Sequence, residues 1–342
     1  MSDEVFIASA RRTPIGSFQG ALSALTAPQL GGIASAAALK DSELVADQID
    51  ETILGCVLMA GIGQAPGRQA ALAGGIPPQV SATTINKMCG SGLKALMYAA
   101  DQIRSGSAQA ILAGGIESMT NAPYLLPKAR GGYRMGHGEI LDHMFYDGLQ
   151  SPFDGKMMGH FADATAKKYN FTREQQDAFA AESVRRAVAA VQAKMFEREI
   201  APVTVKDRKG ERVVAQDETP FTCDIAKIPG LKPAFNKDGT VTAASSSSIS
   251  DGAAASIIVS GSLAKRNNLK PLARIVGYSS HAQAPEWFTT APVGALKTLL
   301  AKTGWRADQV DLYEINEAFA CVAMAAMHDL ELDHAKVNVN GG

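Results

Sequence analysis

Residues 81–106 read SATTINKMCGSGLKALMYAADQIRSG, and the change of pattern inside this stretch decides the fold class. Ser81 to Met88 is a β-branched run that reads as extended chain, while from Gly92 to Arg104 the apolar residues recur at helical spacing. Cys89-Gly90-Ser91-Gly92 joins the two, so a strand passes directly into a helix. The same rhythm surrounds it. Glu4 to Ala8 reads as a buried strand, Gln29 to Lys40 as an Ala-rich helix, Glu51 to Leu58 as a strand, Pro66 to Ala73 as a helix and Ala110 to Gly114 as a strand. Alternating βα units predict an α/β protein whose helices pack on a buried sheet.

The 342 residues are long for one compact body, which predicts two lobes or one α/β body with an insertion. From about Thr120 to Ser250 the βα rhythm lapses, Pro and Gly become frequent, and one helix is clearly signalled, beginning at Thr172. Thr172 and Gln175 have capping-box spacing, and Phe179, Ala180, Val184, Ala187, Val188 and Val191 form an apolar face. This stretch reads as an insertion with its own small core. At Asp251 the α/β pattern resumes: DGAAASIIVS reads as a small-residue turn or helix entry running into a strand, with another strand at Arg274 to Tyr278. VADQIDETILG at 45–55 resembles RADQVDLYEIN at 306–316, so the second half repeats the first. Carried forward by the same interval, the counterpart of the Cys89 turn falls near about position 350, beyond Gly342. The second half is therefore expected to be incomplete and the sequence to be a fragment.

Charge and cysteine usage narrow the function. A net charge of −1 offers no electrostatic footprint for nucleic acid or an anionic membrane. No segment approaches about 18 uninterrupted apolar residues, and the N-terminal MSDEVFIASARRTPIG is acidic where a signal peptide is basic. Cys56, Cys89, Cys223 and Cys321 lie far apart, with no CxxC pair and no histidine at metal-ligand spacing. Reduced thiols in a cytoplasmic protein are expected, without a metal. His137, His143 and His160 read as solvent-facing or hydrogen-bonded, and the glycines of AGIGQAPGRQ do not match the dinucleotide fingerprint.

Two positions carry chemistry. A thiol where a strand enters a helix faces unsatisfied backbone N–H groups and the positive end of the helix dipole, which stabilise negative charge on sulphur. The same N–H groups can receive an oxyanion during acyl transfer, as in a nucleophile elbow. Cys89 is therefore a candidate acyl-accepting nucleophile; the competing reading is a small structural residue at a Gly-rich turn. In INEAFA, residues 315–320, Asn316 can hold a water or donate to an acyl oxygen, and Glu317 can fix neighbouring groups. An Asn cap with an acidic first helical turn explains that motif equally well. Ser245 to Ser248 is either a flexible linker or a loop offering hydroxyls to a ligand.

RRTPIGSFQG at 11–20, NKMCGSGLKA around Cys89, GGIESMTNAPY at 114–124, DGAAA at 251–255, INEAFA and the terminal NVNGG together resemble the thiolase family over essentially the whole chain, and its acetyl-CoA acetyltransferase members in particular. The resemblance implies two related αβαβα-type core halves, at 1–119 and 251–342, with a loop domain at 120–250 for CoA binding and tetramerisation, assembled as a homo-oligomer, dimer or tetramer. It implies Claisen condensation of two acetyl-CoA to acetoacetyl-CoA and the reverse thiolysis, as in fatty acid metabolism. Cys89 carries the acyl group and Asn316 holds an oxyanion-hole water. CoA thioesters are substrates, and no cofactor is implied. Ser247 matches a serine at the pantetheine, Phe235 and Met158 its apolar wall, and RGGYRMG, Arg130 to Gly136, the tetramerisation loop. Phe288 stands where short-chain members often have Met, and Ala244-Ser245-Ser246-Ser247 replaces a Gly-Asn-Ala-Ser pattern. The family's GHP and Cys-Gly-Gly segments, which supply a histidine base and a second cysteine, do not occur in these residues, so the 342-residue chain is expected to be inactive. A ketoacyl-synthase-like condensing enzyme and a non-catalytic CoA-binding or assembly protein are the alternatives.

Overall fold

The computed structural model describes residues 3–207 and 210–342. In chain order the elements are β1 (Val5–Arg12), β2 (Gly16–Ser17), α1 (Ala27–Asp41), β3 (Glu51–Gly55), α2 (Pro66–Ala73), β4 (Ser81–Ile85), α3 (Ser91–Ser105), β5 (Ala110–Ser118), β6 (Tyr124–Leu125), β7 (Leu141–Asp142), α4 (Met158–Tyr169), α5 (Arg173–Gln192), β8 (Val203–Asp207), β9 (Gly210–Val214), β10 (Ser250–Ser260), α6 (Gly261–Arg266), β11 (Ala273–Arg274), α7 (Ala291–Thr303) and α8 (Ala320–Leu330), with short 3-10 turns and a π-helical turn at Met144–Leu149 between them. Contacts divide the chain into two units. The first comprises residues 1–149, 197–218 and 249–275; the second comprises 150–196, 219–248 and 276–342.

The first unit is built on one mixed sheet in the order β11-β1-β10-β5-β3-β4, with β2 beside β10. β5, β3 and β4 run parallel, as the βα rhythm requires, while β10 lies antiparallel between β1 and β5. Side chains alternate across the sheet. Leu54 and Ile116 face α1 and α2, while Gly55 and Gly115 face α3. The side facing α1 and α2 is a continuous core in which Leu22, Leu30, Leu54, Leu112 and Ile257 are fully buried. The two arginines that end β1 tie down the 197–218 excursion. Arg12 pairs with Glu199 at 2.6 Å and with Asp217 at 2.7 Å, and Glu218 accepts from the N–H groups of Ser17 and Ala21.

Two expectations change here. The small-residue run at Asp251 is neither a turn nor a helix entry, because the whole of Ser250–Ser260 is the strand that zips β1 to β5. The backbones of β5 and β10 come very close: a methyl group on Gly114 would lie 2.0 Å from the carbonyl oxygen of Ala254. The expected start of the second core half at 251 therefore falls inside the first unit's sheet. Of the strand expected at Arg274 to Tyr278, the start lies against β1, as the two-residue β11 at Ala273–Arg274 followed by Ile275 N–H donating to the Val5 carbonyl at 2.9 Å.

The second unit is helical, with one apolar core. Ala162 and Ala166 of α4, Phe179 of α5, and Val241 pack with Val293, Tyr313, Ile315, Phe319 and Val322. Residues 150–196 and 219–248 thus share a core with the chain after 276, rather than forming an insertion with a core of its own. The two copies of the internal match share a local turn. In both copies a glutamine side chain closes a 3-10 turn, Val45 N–H donating to Gln48 Oε1 at 3.2 Å and Arg306 N–H to Gln309 Oε1 at 2.9 Å.

The close approach at Gly114 predicts the effect of a single methyl group. Gly114→Ala should lower unfolding free energy by about 3 kcal/mol or more, since overpacking must displace backbone. Gly131→Ala, whose methyl would meet nothing nearer than 3.9 Å, should leave it unchanged. Equal denaturant midpoints for the two variants would disprove the tight β5–β10 contact.

Candidate active site

β4 ends at Ile85, and the five residues before α3 are arranged by hydrogen bonds rather than by packing. Met88 adopts a left-handed conformation, φ 48, which costs a branched or bulky side chain energy and persists only where the surroundings enforce it. Three bonds enforce it. Met88 N–H donates to Asn86 Oδ1 at 2.9 Å, Ser91 N–H donates to the Met88 carbonyl at 2.9 Å, and Ser91 Oγ donates to the same carbonyl at 2.6 Å. Ser91 Oγ also accepts from Lys87 N–H at 2.8 Å. Buried Ser91 therefore stitches both arms of the turn together, and the first turn of α3 is pressed onto the sheet, where a methyl on Gly55 would lie 2.6 Å from the Ser91 carbonyl carbon.

The result is that Cys89, between left-handed Met88 and the helix start, is exposed. Among the described residues, its backbone N–H has no acceptor. An accessible thiol with an unused donor on the same residue, at the positive end of a fifteen-residue helix, is the arrangement that acyl transfer uses: a nucleophile and an oxyanion ligand fixed together. Sequence reasoning found Cys89 and its helix but missed Ser91 and Asn86, whose signal is only the small polar residues on either side of it.

The other three cysteines differ. Burial pushes the Cys321 thiol up to about 12, helped by Asp163. Burial, with Glu117 next in effect, holds the Cys56 thiol far above its usual range. Burial also raises Glu117, which accepts from the N–H groups of Val57 and Leu58 at 2.8 and 3.1 Å and so fixes the end of β3. Cys223 is partly buried and raised by burial and by Asp224.

Asn316, Ser247, Phe235 and Met158 all lie in the second unit, and the structure brings their segments together. Ser247 N–H donates to the Ala318 carbonyl at 3.0 Å, and Ala320 N–H donates to that of Ser245 at 2.9 Å, so the serine run is pinned to INEAFA and is not a free linker. The rings of Phe235 and Phe319 meet edge to face at 5.9 Å, and Met158 packs against the same core. Asn316 and Ser247 are exposed, while Phe235 and Met158 are half-buried. INEAFA does not begin with a side-chain cap, since α8 starts at Ala320 after Phe319. Phe288 meets Phe161 edge to face at 6.2 Å.

Of the three histidines of the 120–250 stretch, His137 is exposed and the other two are accounted for locally. His143 lies 2.5 Å from Asp147 and accepts from Ala60 N–H, and His160 bonds the Met157 carbonyl. Among the described residues, no cluster of His, Cys, Asp or Glu can hold a metal, and no helix is long and apolar enough to cross a membrane.

Residues 5–262 match the family profile described as Thiolase, N-terminal domain, and residues 269–342 match Thiolase, C-terminal domain. The chain belongs to the thiolase family. Within this family of enzymes it resembles the acetyl-CoA acetyltransferases. The one from Pseudomonas aeruginosa is 48% identical over 341 residues, covering 99% of this chain and 87% of its own. The one from Schizosaccharomyces pombe is 44% identical over 344 residues, covering 100% and 87%. The thiolase fold follows from solved structures: the Bacillus anthracis acetyl-CoA acetyltransferase superimposes with a TM-score of 0.97 at 40% identity, covering 100% of this chain and 86% of the other. A thiolase from Ascaris suum, solved in complex with coenzyme A, gives 0.95 at 41% identity, covering 99% and 87%. The thiolase N-terminal match runs to 262, past the 250 boundary expected from the sequence, in keeping with β10's place in the first sheet.

Brief treatment of the folded protein with iodoacetamide near neutral pH should label Cys89 first, because the thiolate is the reactive form and Cys56 and Cys321 remain protonated and buried. Peptide mass mapping reads the order. Modification of Cys321 ahead of Cys89 would contradict the described exposure.

Proposed function

We propose that this thiolase is an acetyl-CoA C-acetyltransferase working through an acetyl-enzyme on Cys89. The sulphur attacks the carbonyl carbon of acetyl-CoA, the C–S bond to CoA breaks, and CoA leaves as the thiol once protonated. A second acetyl-CoA passes its α-proton to a base, which the family supplies from its Cys-Gly-Gly segment, and the resulting carbanion attacks the enzyme thioester, forming acetoacetyl-CoA and returning the Cys89 thiolate. Thiolysis is the same path reversed. The observation that carries this reading is the exposed Cys89 with an unused N–H beside it, held by the Ser91 network. The names of the acetyl-CoA acetyltransferase relatives support the choice of acetyl-CoA.

In this reading Asn316 holds the water that receives negative charge on the second thioester, while Ser247, Phe235 and Met158 meet the pantetheine of CoA. The CoA thioesters are substrates, and the chemistry calls on no other cofactor. Exposed apolar side chains at Tyr124, Met135 and Ile140 support assembly with further copies of the chain as a dimer or tetramer. Four unpaired cysteines suit a reducing, cytoplasmic setting.

A half-reaction tests the proposal without the C–C step. Acetyl-CoA mixed with labelled free CoA should yield labelled acetyl-CoA, and Cys89→Ser should reduce that exchange by about 10³-fold or more. CoA binding with no exchange favours the non-catalytic reading. Exchange only with an acyl carrier protein as donor favours a ketoacyl-synthase-like enzyme.

A further inference from the structure

Residues 313–315 run beside 336–338 as a short parallel pairing. Tyr313 N–H donates to the Lys336 carbonyl at 2.8 Å, and Asn338 N–H donates to the Tyr313 carbonyl at 2.9 Å. At Asn338 the backbone turns left-handed, φ 47, and leaves the pairing. The side chain then takes the backbone's place. Ile315 N–H donates to Asn338 Oδ1 at 2.8 Å, while Asn338 Nδ2 donates to the Ile315 carbonyl at 2.8 Å and to Glu317 Oε1 at 2.6 Å. A carboxamide carries the same donor and acceptor as a peptide group, so it extends the ladder by one step. Asn338, only 2% exposed, thus grips the residues on both sides of Asn316.

The clamp is braced from α5. Ser183 Oγ donates to Glu317 Oε2 at 2.7 Å and accepts from Gly342 N–H at 3.1 Å. Nearly one turn further along, Arg186 donates to the carbonyls of His334, Val337 and Asn338 at 3.1, 2.8 and 3.4 Å. Both carboxylate oxygens of Glu317 are therefore occupied, and the carbonyl of Asn338 is itself restrained. Neither Asn338 nor Ser183 was marked as a site residue by the sequence reading.

We propose that Asn338, acting with Glu317 and Ser183, is a positioning residue that fixes the direction in which Asn316 presents its carboxamide. The inference rests on the reading of Asn316 as the group that supports charge on the second thioester. Preorganised donors stabilise a transition state because they do not reorganise during the step, and an exposed residue keeps one orientation only if its flanking peptides are held.

Nearly isosteric variants separate this role from packing. Asn338→Asp keeps the acceptor for Ile315 N–H, removes both donated bonds and sets a carboxylate against Glu317. Adding Glu317→Gln reverses donor and acceptor across the same gap and leaves Ser183 a carbonyl oxygen to donate to. Amide hydrogen exchange over 314–318 should speed up about tenfold or more in Asn338→Asp and fall back in the double variant, with α5 unchanged. The kcat for condensation should follow the same loss and recovery, while KM for acetyl-CoA stays within about twofold. In an Asn316→Ala background, Asn338→Asp should cost no further kcat. Unchanged exchange at 314–318, no recovery in the double variant, or an undiminished kcat loss in the Asn316→Ala background would overturn the proposal. If Asn338→Asp does not fold, Asn338→Gly, which tolerates the left-handed backbone and deletes the clamp, carries the same exchange and kcat expectations apart from the rescue. Where the parent protein shows no condensation, as expected of a chain without the histidine and second-cysteine segments, hydrogen exchange over 314–318 decides alone: faster exchange in Asn338→Asp with recovery in the double variant supports the clamp, and unchanged exchange overturns it.

Discussion

The chemistry of the first unit depends on how closely the first turn of α3 approaches the sheet. Gly55 and Gly115 leave no side chains between them and Ser91-Gly92, and this contact fixes where β4 must stop and α3 must begin. The chain bridges the gap only by placing Met88 in a left-handed conformation, held by Ser91 Oγ and Asn86 Oδ1. Cys89 then has no route into the core. Its exposure and its unused N–H follow from a packing constraint several residues away.

The second unit solves a similar problem with polar side chains. INEAFA must leave Asn316 exposed while its neighbours Ile315 and Phe319 enter the core. Backbone bonds from Ser245 and Ser247 hold the far side of the motif, and the Asn338 carboxamide holds the near side. In both units a short polar residue replaces a backbone group that the turn has displaced. Such bonds cost little while satisfied and about 1–3 kcal/mol each when one partner is removed inside the protein.

Much of this was legible in the sequence where local physics dominates. Helical periodicity placed Pro66–Ala73 with its observed ends and α3 within one residue, because those helices show an apolar face and clear stops. Thr172 and Gln175 do form the expected capping box, Thr172 N–H donating to Gln175 Oε1 and Gln175 N–H to Thr172 Oγ1. What failed depends on partners distant in sequence. Ser250–Ser260 is a strand because Val5 and Ser118 lie opposite its two ends, a pairing that its Gly-Ala-Ala run does not signal locally. Met158–Tyr169 went unread because its buried face includes Gly159, Asp163 and Thr165, small or polar residues whose partners are distant in sequence: Asp163 accepts from the N–H groups of Thr240 and Val241. Cys89 could be read from its turn, but the reason it stays exposed lies in Ser91, and the reason Asn316 stays put lies in Asn338.

The account stands or falls on whether the Cys89 sulphur carries an acyl group. Intact mass after brief exposure to acetyl-CoA, followed by mapping of the peptide spanning the turn, measures this directly. The account predicts the mass of one acetyl group, located on Cys89 and lost on adding free CoA. Bound CoA with no covalent adduct, or an acetyl group on Cys223 in place of Cys89, would contradict it.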